Sequence, residues 1–496
     1  MTICIRKYPY RLVIVVLTFF LVSWMMLFIK TGPVSRTTTS RYVQIGDDDS
    51  ISTLNQPGFI PLINNRKLDG ALQQNIPNVT FNTNKNGKHE RNSPYKVYVY
   101  DLPPKFNVNL SDCVKKVDGC FHLDEKMFGM GSRLLRRDSQ FSYRNTHQFS
   151  LEVILHHKIL HSRYRTMNPK HADIFYIPFY PGLACFCRSF QKSSFDLDLL
   201  HKELWHYLTE KWPFFEMREP HAMALGKIER EHWSQRCGIL KGNKYANRIQ
   251  FIGIEEEYKT AYRSYFERNG QHVLVAPYPS YGHFIEGEEA HRNDFTKGAK
   301  YDRNVFVLMA ASSRASHEVR KILQDQLTRT SKSYNTYVNT EEQYDGVWYV
   351  TPECGQNNAA WEQGTELFTV EWMRHSVFCL QPPGDSPTRK SFYDSVTAHC
   401  IPVIFLPEKA RVKYPFQRLL NYSEFTVNFG LETFLLEKPD IVDLLRKIPE
   451  DYVIQLQNNL LNVSKRLQYS YPSNIDSDDA FQMILDELGA IYKLQV

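Results

Sequence analysis

The sequence predicts an α/β protein of two doubly wound halves, each a parallel sheet covered by helices, behind an N-terminal membrane anchor and a polar stem. Three observations point there. Short β-branched and aromatic runs alternate with segments of helical period; the alternation occurs in two series; and a charge-free apolar stretch near the N-terminus precedes a long region without periodicity. At 496 residues, 42% hydrophobic and 14% aromatic, the chain is long and apolar enough to bury more than one core, so two globular domains are expected.

Residues 12–29 form a stretch of 18 residues without a charge, ending at Lys30, which is just long enough to cross a bilayer core of roughly 30 Å. Trp24, Met25, Met26, Leu27 and Phe28 are too bulky for a signal-peptide cleavage site, so the segment is expected to stay as an anchor. Arg6, Lys7 and Arg11 precede it, which makes residues 1–11 a cytosolic tail and puts the bulk of the chain in the lumen, a single-pass type II arrangement. The net charge of +6 is modest, and those three residues supply half of it outside the folded region, so no nucleic-acid partner is expected.

Residues 30–93 are rich in Thr, Ser, Asn, Asp and Gly and read as a flexible stem. All nine cysteines except Cys4 then meet an oxidising compartment, where disulfides persist. Cys113 and Cys120 are close enough in sequence to close a short loop. Cys185 and Cys187 lack the second ligand pair of a zinc site and read as separate disulfide partners or buried thiols, and no metal site is expected. Asn78, Asn109, Asn421 and Asn462 each begin a glycosylation sequon.

The first half is placed at residues 94–290. Strands are predicted at 96–100 (KVYVY), 174–178, 222–228 and 273–276, with helices at 147–160 and 199–208. After the polar segment 286–302 the second half, residues 300–470, repeats the pattern: strands at 305–310, 377–380 and 401–405, helices at 317–327 and 391–397. Further helices are expected over 441–494, with residues 471–496 as a closing helix.

The richest local signal is FCLQPPGDSPTRKSFYDSVTAHCIPVIFLP at residues 378–407, a Pro/Gly-rich turn between a strand and a helix. Such a turn can offer backbone N–H groups and a helix N-terminus to a diphosphate. Ser386 and Thr388 add hydroxyls, Arg389 a planar cation, and Asp394 a carboxylate able to accept from ribose hydroxyls. An ordinary turn with a helix cap would account for the same residues.

Together with YVYDLPPKFN at 98–107, ADIFYIPFYPGL at 172–183 and PYPSY at 277–281, this block resembles the exostosin glycosyltransferases of family 47, most closely the plant branch with the xyloglucan galactosyltransferases. The resemblance runs from about Tyr95 to the C-terminus. It implies a GT-B fold with two Rossmann-like domains facing a cleft, the donor bound by the C-terminal half and the acceptor by the N-terminal half. It also implies an inverting Golgi enzyme without a bound cofactor, using a UDP-sugar as donor and a cell-wall polysaccharide as acceptor, with other Golgi glycosyltransferases as further partners. UDP-galactose and xyloglucan are the first expectation; another UDP-sugar, galacturonic acid or a pentose, or a non-catalytic glycan-binding partner are the alternatives.

Without a metal, cationic side chains and backbone dipoles must meet the diphosphate. Arg389, Arg314 and Arg320 are the candidates, Arg314 because it follows the strand at 305–310. Inversion by single displacement asks for a base at the acceptor hydroxyl. Glu231, which follows the strand at 222–228 and matches a position where relatives often carry Asp, is favoured over Glu229, His232 and His283; Asp173, before its strand, reads as a packing or capping residue. Tyr180, Tyr278, Tyr281 and His283 are the candidates for acceptor contact, since sugar C–H faces stack on rings.

Two departures from the family pattern stand out. His399 occupies the position before Cys400 where relatives usually carry Gly, so the backbone there is expected to avoid positive φ. AASSRAS at 310–316 lacks the Gly and Pro expected of galactosyltransferases, which loosens the donor identity more than the reaction class.

Overall fold

The computed structural model describes residues 95–117, 129–134, 142–190, 195–217, 220–233, 237–239, 244–256, 273–284, 303–311, 318–330, 343–349, 365–408, 412–471 and 477–492. The tail, anchor, stem, Asn78, Arg314, Cys120 and the segment between the halves lie outside them. Among the described residues no helix is long and apolar enough to cross a membrane.

In chain order the strands are β1 Val97–Val99, β2 Ser142–Tyr143, β3 Arg165–Thr166, β4 Ile174–Tyr176, β5 His221–Leu225, β6 Ile249–Gly253, β7 Val273–Val275, β8 Gly282–His283, β9 Val305–Ala310, β10 Tyr344–Tyr349, β11 Ser376–Gln381, β12 Ile401–Leu406 and β13 Val427–Gly430. Six form one sheet in the order β3-β1-β4-β5-β6-β7 and five another in the order β10-β9-β11-β12-β13. Every pairing within these two sheets is parallel. Apart from the edge strands β3 and β10, their strands are short and largely buried on both faces, which explains why they read as continuous apolar runs rather than alternating ones. The α/β expectation thus holds for both halves.

The predicted strand cores are all present, and the structure adds several elements. β6 (IQFIG) escaped the pattern because Gln250 and Gly253 interrupt its apolar run. The helices Val108–Val117, Pro181–Phe190 and Thr365–Arg374 were also unassigned, and the helix expected from residue 147 starts at Leu151. Asp173 does cap: its carboxylate accepts from the Lys96 amide at 2.7 Å and ties β4 to β1.

One core joins the halves. Ile154, Ile174, Tyr176 and Ile252 of the first half pack in the same cluster as Phe392, Tyr393 and Val396 of the Lys390–Thr397 helix and Phe481, Ile484 and Leu488 of the closing Ala480–Ile491 helix. That last helix therefore returns to the first half. Lys158 meets Asp479 at 2.9 Å with both side chains essentially unexposed, and Gln482 donates to the Tyr164 hydroxyl at 2.8 Å.

Among the described residues, three disulfides join Cys113 to Cys187, Cys185 to Cys237 and Cys379 to Cys400. Cys113 thus does not close the short loop with Cys120; the fold carries it to the Pro181–Phe190 helix instead. Cys185 and Cys187 are separate disulfide partners, one of the two readings their spacing allows. His399 corrects another expectation, adopting φ 55° despite its side chain.

Candidate functional site

The C-terminal ends of strands from both sheets converge on the turn between β11 and the Lys390–Thr397 helix, the position where open α/β sheets bind ligands. Arg389 is the N-cap residue of that helix. Its guanidinium donates to Pro382 O at 3.3 Å and to Ala310 O, the last residue of β9, at 3.2 Å. Arg320 reaches the same turn from the Glu318–Thr330 helix, donating to Pro383 O at 3.0 Å. A Cβ at Gly384 would lie 2.9 Å from Arg320 Nη2, so a side chain there would make the guanidinium shift. Burial, and then the neighbouring Arg320, push the Arg389 guanidinium down to about 9, so this is a place where an anion would be stabilised.

Ser386 and Thr388 are buried in the turn, with the Ser386 hydroxyl donating to Thr388 O at 3.2 Å. Glu255, just beyond β6, reaches across from the first half. Its Oε1 accepts from the Thr388 amide at 3.3 Å and its Oε2 from the Tyr278 hydroxyl at 3.0 Å. The Ser386 and Thr388 hydroxyls lie beside that same tyrosine. Tyr278 is therefore an internal strut rather than an acceptor-facing ring. Glu255 itself escaped the sequence reading because β6 did; the rule that selected Glu231, an acid after a strand, would have found it.

Asp394 corrects the picture of an open ribose ligand. It is 3% exposed, accepting from Lys390 Nζ at 2.9 Å on each oxygen and from the Tyr281 amide at 2.8 Å. Three of the roughly four acceptor positions of a carboxylate are thus used within the chain. Lys390 Nζ also stands 2.8 Å from the centre of the Tyr281 ring. Burial raises the Asp394 carboxyl, against Lys390 and the Tyr281 amide, which lower it. The clamp brings PYPSY of the first half onto the helix of the second. Gly282 allows this approach, since a Cβ there would fall 2.7 Å from Thr397 Oγ1.

At the ends of β4 and β5 the buried Glu152 carboxylate accepts from the amides of Gly182 and Gly226 at 2.7 Å each and Leu183 at 3.3 Å. Burial pushes it up to about 8 against those donors. The turn so held presents Lys227, whose Nζ lies 2.6 Å from Glu231 Oε2 and 3.9 Å from the centre of the Phe186 ring.

The Glu231 side chain is 37% exposed. Its rivals are not accessible: Glu229 is 1% exposed, and His232 and His283 are fully buried. His283 donates through Nδ1 to Tyr469 O at 2.6 Å and pairs through Nε2 with the Thr146 hydroxyl at 2.7 Å, so it joins the core rather than an acceptor. Tyr180 is also a core residue, its hydroxyl paired with His156 Nδ1 at 2.7 Å. Asn109, Asn421 and Asn462 are exposed. Among the described residues no group of three or more His, Cys, Asp or Glu is placed to hold a metal ion.

The exostosin GT47 domain matches residues 91–440, most of the chain and both sheets. The chain belongs to the exostosin GT47 family. Similar proteins of Arabidopsis thaliana include xyloglucan-specific galacturonosyltransferase 1, 32% identical over 358 residues, which are 70% of this chain and 49% of that protein. Probable xyloglucan galactosyltransferase GT15 is 26% identical over 393 residues, 77% of this chain and 78% of its own length. Xyloglucan galactosyltransferase MUR3 is 24% identical over 412 residues, 80% of this chain and 63% of its own. This exostosin GT47 chain thus aligns with only about half the length of the galacturonosyltransferase.

Proposed function

We propose that this exostosin GT47 chain is an inverting GT-B glycosyltransferase that moves galactose from UDP-galactose onto a xyloglucan side chain. The observation that carries the reading is the Arg389 guanidinium, set with Arg320 on the Pro382–Gly384 turn where the ends of β9 and β11 meet. A planar cation fixed there before the donor arrives stabilises the negative charge that grows on the leaving diphosphate. Family membership and the named activities of its relatives support the donor and acceptor classes.

On the acceptor side Glu231 takes the hydroxyl proton as the new bond forms; it is the accessible carboxylate at the end of β5, and Lys227 holds it in place. Asp394 serves the donor indirectly, by holding the helix that begins at Arg389 against the loop of the first half. Three disulfides and three exposed sequons support a lumenal catalytic part, with residues 12–29 as the Golgi membrane anchor.

The test is a panel of UDP-sugars and hemicellulose acceptors assayed with the purified full chain. UDP-galactose with xyloglucan is expected to give transfer with inversion; turnover with UDP-galacturonic acid alone would reassign the donor, and no transfer with any pair would remove the enzyme reading. Glu231→Gln is expected to lose about 10²- to 10⁴-fold in rate. Arg389→Ala is expected to weaken UDP about ten- to a hundredfold and uridine far less.

A further inference from the structure

We infer that Glu255 is the residue of the first half that positions the donor turn of the second, acting through Tyr278 and the Thr388 amide. This rests on the donor reading of the turn. Glu255 is 2% exposed, and a carboxylate so buried needs partners that justify its desolvation. It has one within the first half and one across the junction: Oε2 accepts from the Tyr278 hydroxyl at 3.0 Å and Oε1 from the Thr388 amide of the second half at 3.3 Å. Thr388 immediately precedes Arg389, so whatever fixes the amide at 388 fixes the direction in which the next guanidinium leaves the backbone. Tyr278 is 3% exposed and lies beside the Ser386 and Thr388 hydroxyls, which extends the hold to both ends of the SPT stretch.

The neighbouring Glu256 shows what an ordinary tether looks like. It forms an ion pair with Lys413 at 2.8 Å, whose ammonium also donates to Val273 O. Glu255 instead directs one carboxyl oxygen at the turn that holds Arg389, accepting from the Thr388 amide. The two oxygens thus link the Tyr278 hydroxyl and the residue next to Arg389 through one buried carboxyl.

The experiment is a double-mutant cycle on the full chain. Glu255→Gln keeps the shape but leaves one fewer acceptor oxygen for the amide and the phenol; Tyr278→Phe removes a single hydroxyl and serves if the first variant folds poorly. UDP and uridine affinities are measured by calorimetry for wild type, both single variants, the double variant and Arg389→Ala. Each single variant is expected to weaken UDP about five- to tenfold while uridine changes by less than about twofold, and the double variant to be no weaker than the worse single one, because both changes act on one carboxylate. Glu255→Gln binding UDP like wild type, multiplicative losses in the double variant, or equal losses for uridine and UDP would each overturn the inference if Arg389→Ala still weakens UDP. Arg389→Ala binding UDP like wild type would instead show that the turn is not the donor site, and the inference would fall with it.

Discussion

His399 shows how much a single residue can carry against its own preference. At φ 55° it holds a left-handed conformation that costs a non-glycine residue about 1–2 kcal/mol. The surroundings impose it. Arg303 donates to Ala398 O at 3.2 Å and to the carbonyls of Ser376 and Met373, and Cys400 is bonded to Cys379, so the helix-to-strand turn is pinned on both sides of the histidine. His399→Gly is expected to change the thermal midpoint by less than about 2 °C, since relief of the strained φ offsets lost packing and a looser unfolded chain. His399→Val should lower it by several degrees, because a β-branched side chain is least tolerated at positive φ. Equal midpoints for the two variants would show that φ is not what this position demands. The odd residue was legible in the sequence; its conformation was not, because Arg303 lies almost a hundred residues away.

Among elements, the closing helix Ala480–Ile491 does most to join the halves. Its N-cap Asp479 accepts from the Phe481 and Gln482 amides and from Ser470, and pairs with Lys158 of the first half. Breaking a buried pair by removing one partner costs about 3–5 kcal/mol, so Lys158→Met should lower the unfolding midpoint markedly and open the C-terminal helix to proteolysis. Arg446→Ala is the contrast: its pair with Asp345 is about half exposed on both sides, and a change under about 1 kcal/mol is expected. Similar midpoints for the two variants would mean that the closing helix contributes little. A closing helix was expected over residues 471–496, whereas its destination was not legible, since nothing local in residues 479–491 names the face it covers.

For the molecule as a whole, buried histidines set the response to acid. Burial pushes His221 down to about 4 and His232, His283 and His399 down to about 3. A depressed folded value means that unfolding takes up protons below the ordinary value of about 6.5, so this stability is present above that pH and is lost as pH falls toward 3. At pH 5 each fully buried histidine accounts for up to about 2 kcal/mol. Glu152 and Asp394 have the opposite sign, since raised carboxyl values favour the folded state at low pH and lose that contribution as pH rises. With His156, His157 and His201 also lowered by burial, the histidines outnumber the two carboxylates and give a net fall. The unfolding midpoint should drop between pH 7 and pH 5; a midpoint that is flat or rises over that range would show that these histidines are not held neutral.

What the sequence by itself determined is what depends on short range: the parallel α/β character, the position of most strands along the chain, and the Pro/Gly turn with Arg389 at its helix start. These are legible because burial on both faces, turn chemistry and chain direction act over a few residues, and a parallel strand order then fixes which end faces the ligand. Tertiary structure alone decided which side chains remain accessible. Glu231, Glu229 and His232 lie within four residues of one another, yet only the first reaches the surface among them. It likewise turned Tyr278, Tyr180 and His283 inward and set Glu255 beneath the donor turn. The physical reason is common to all of these: a polar group's role is set by the partner that satisfies it on burial, and that partner is brought by the fold from far along the chain.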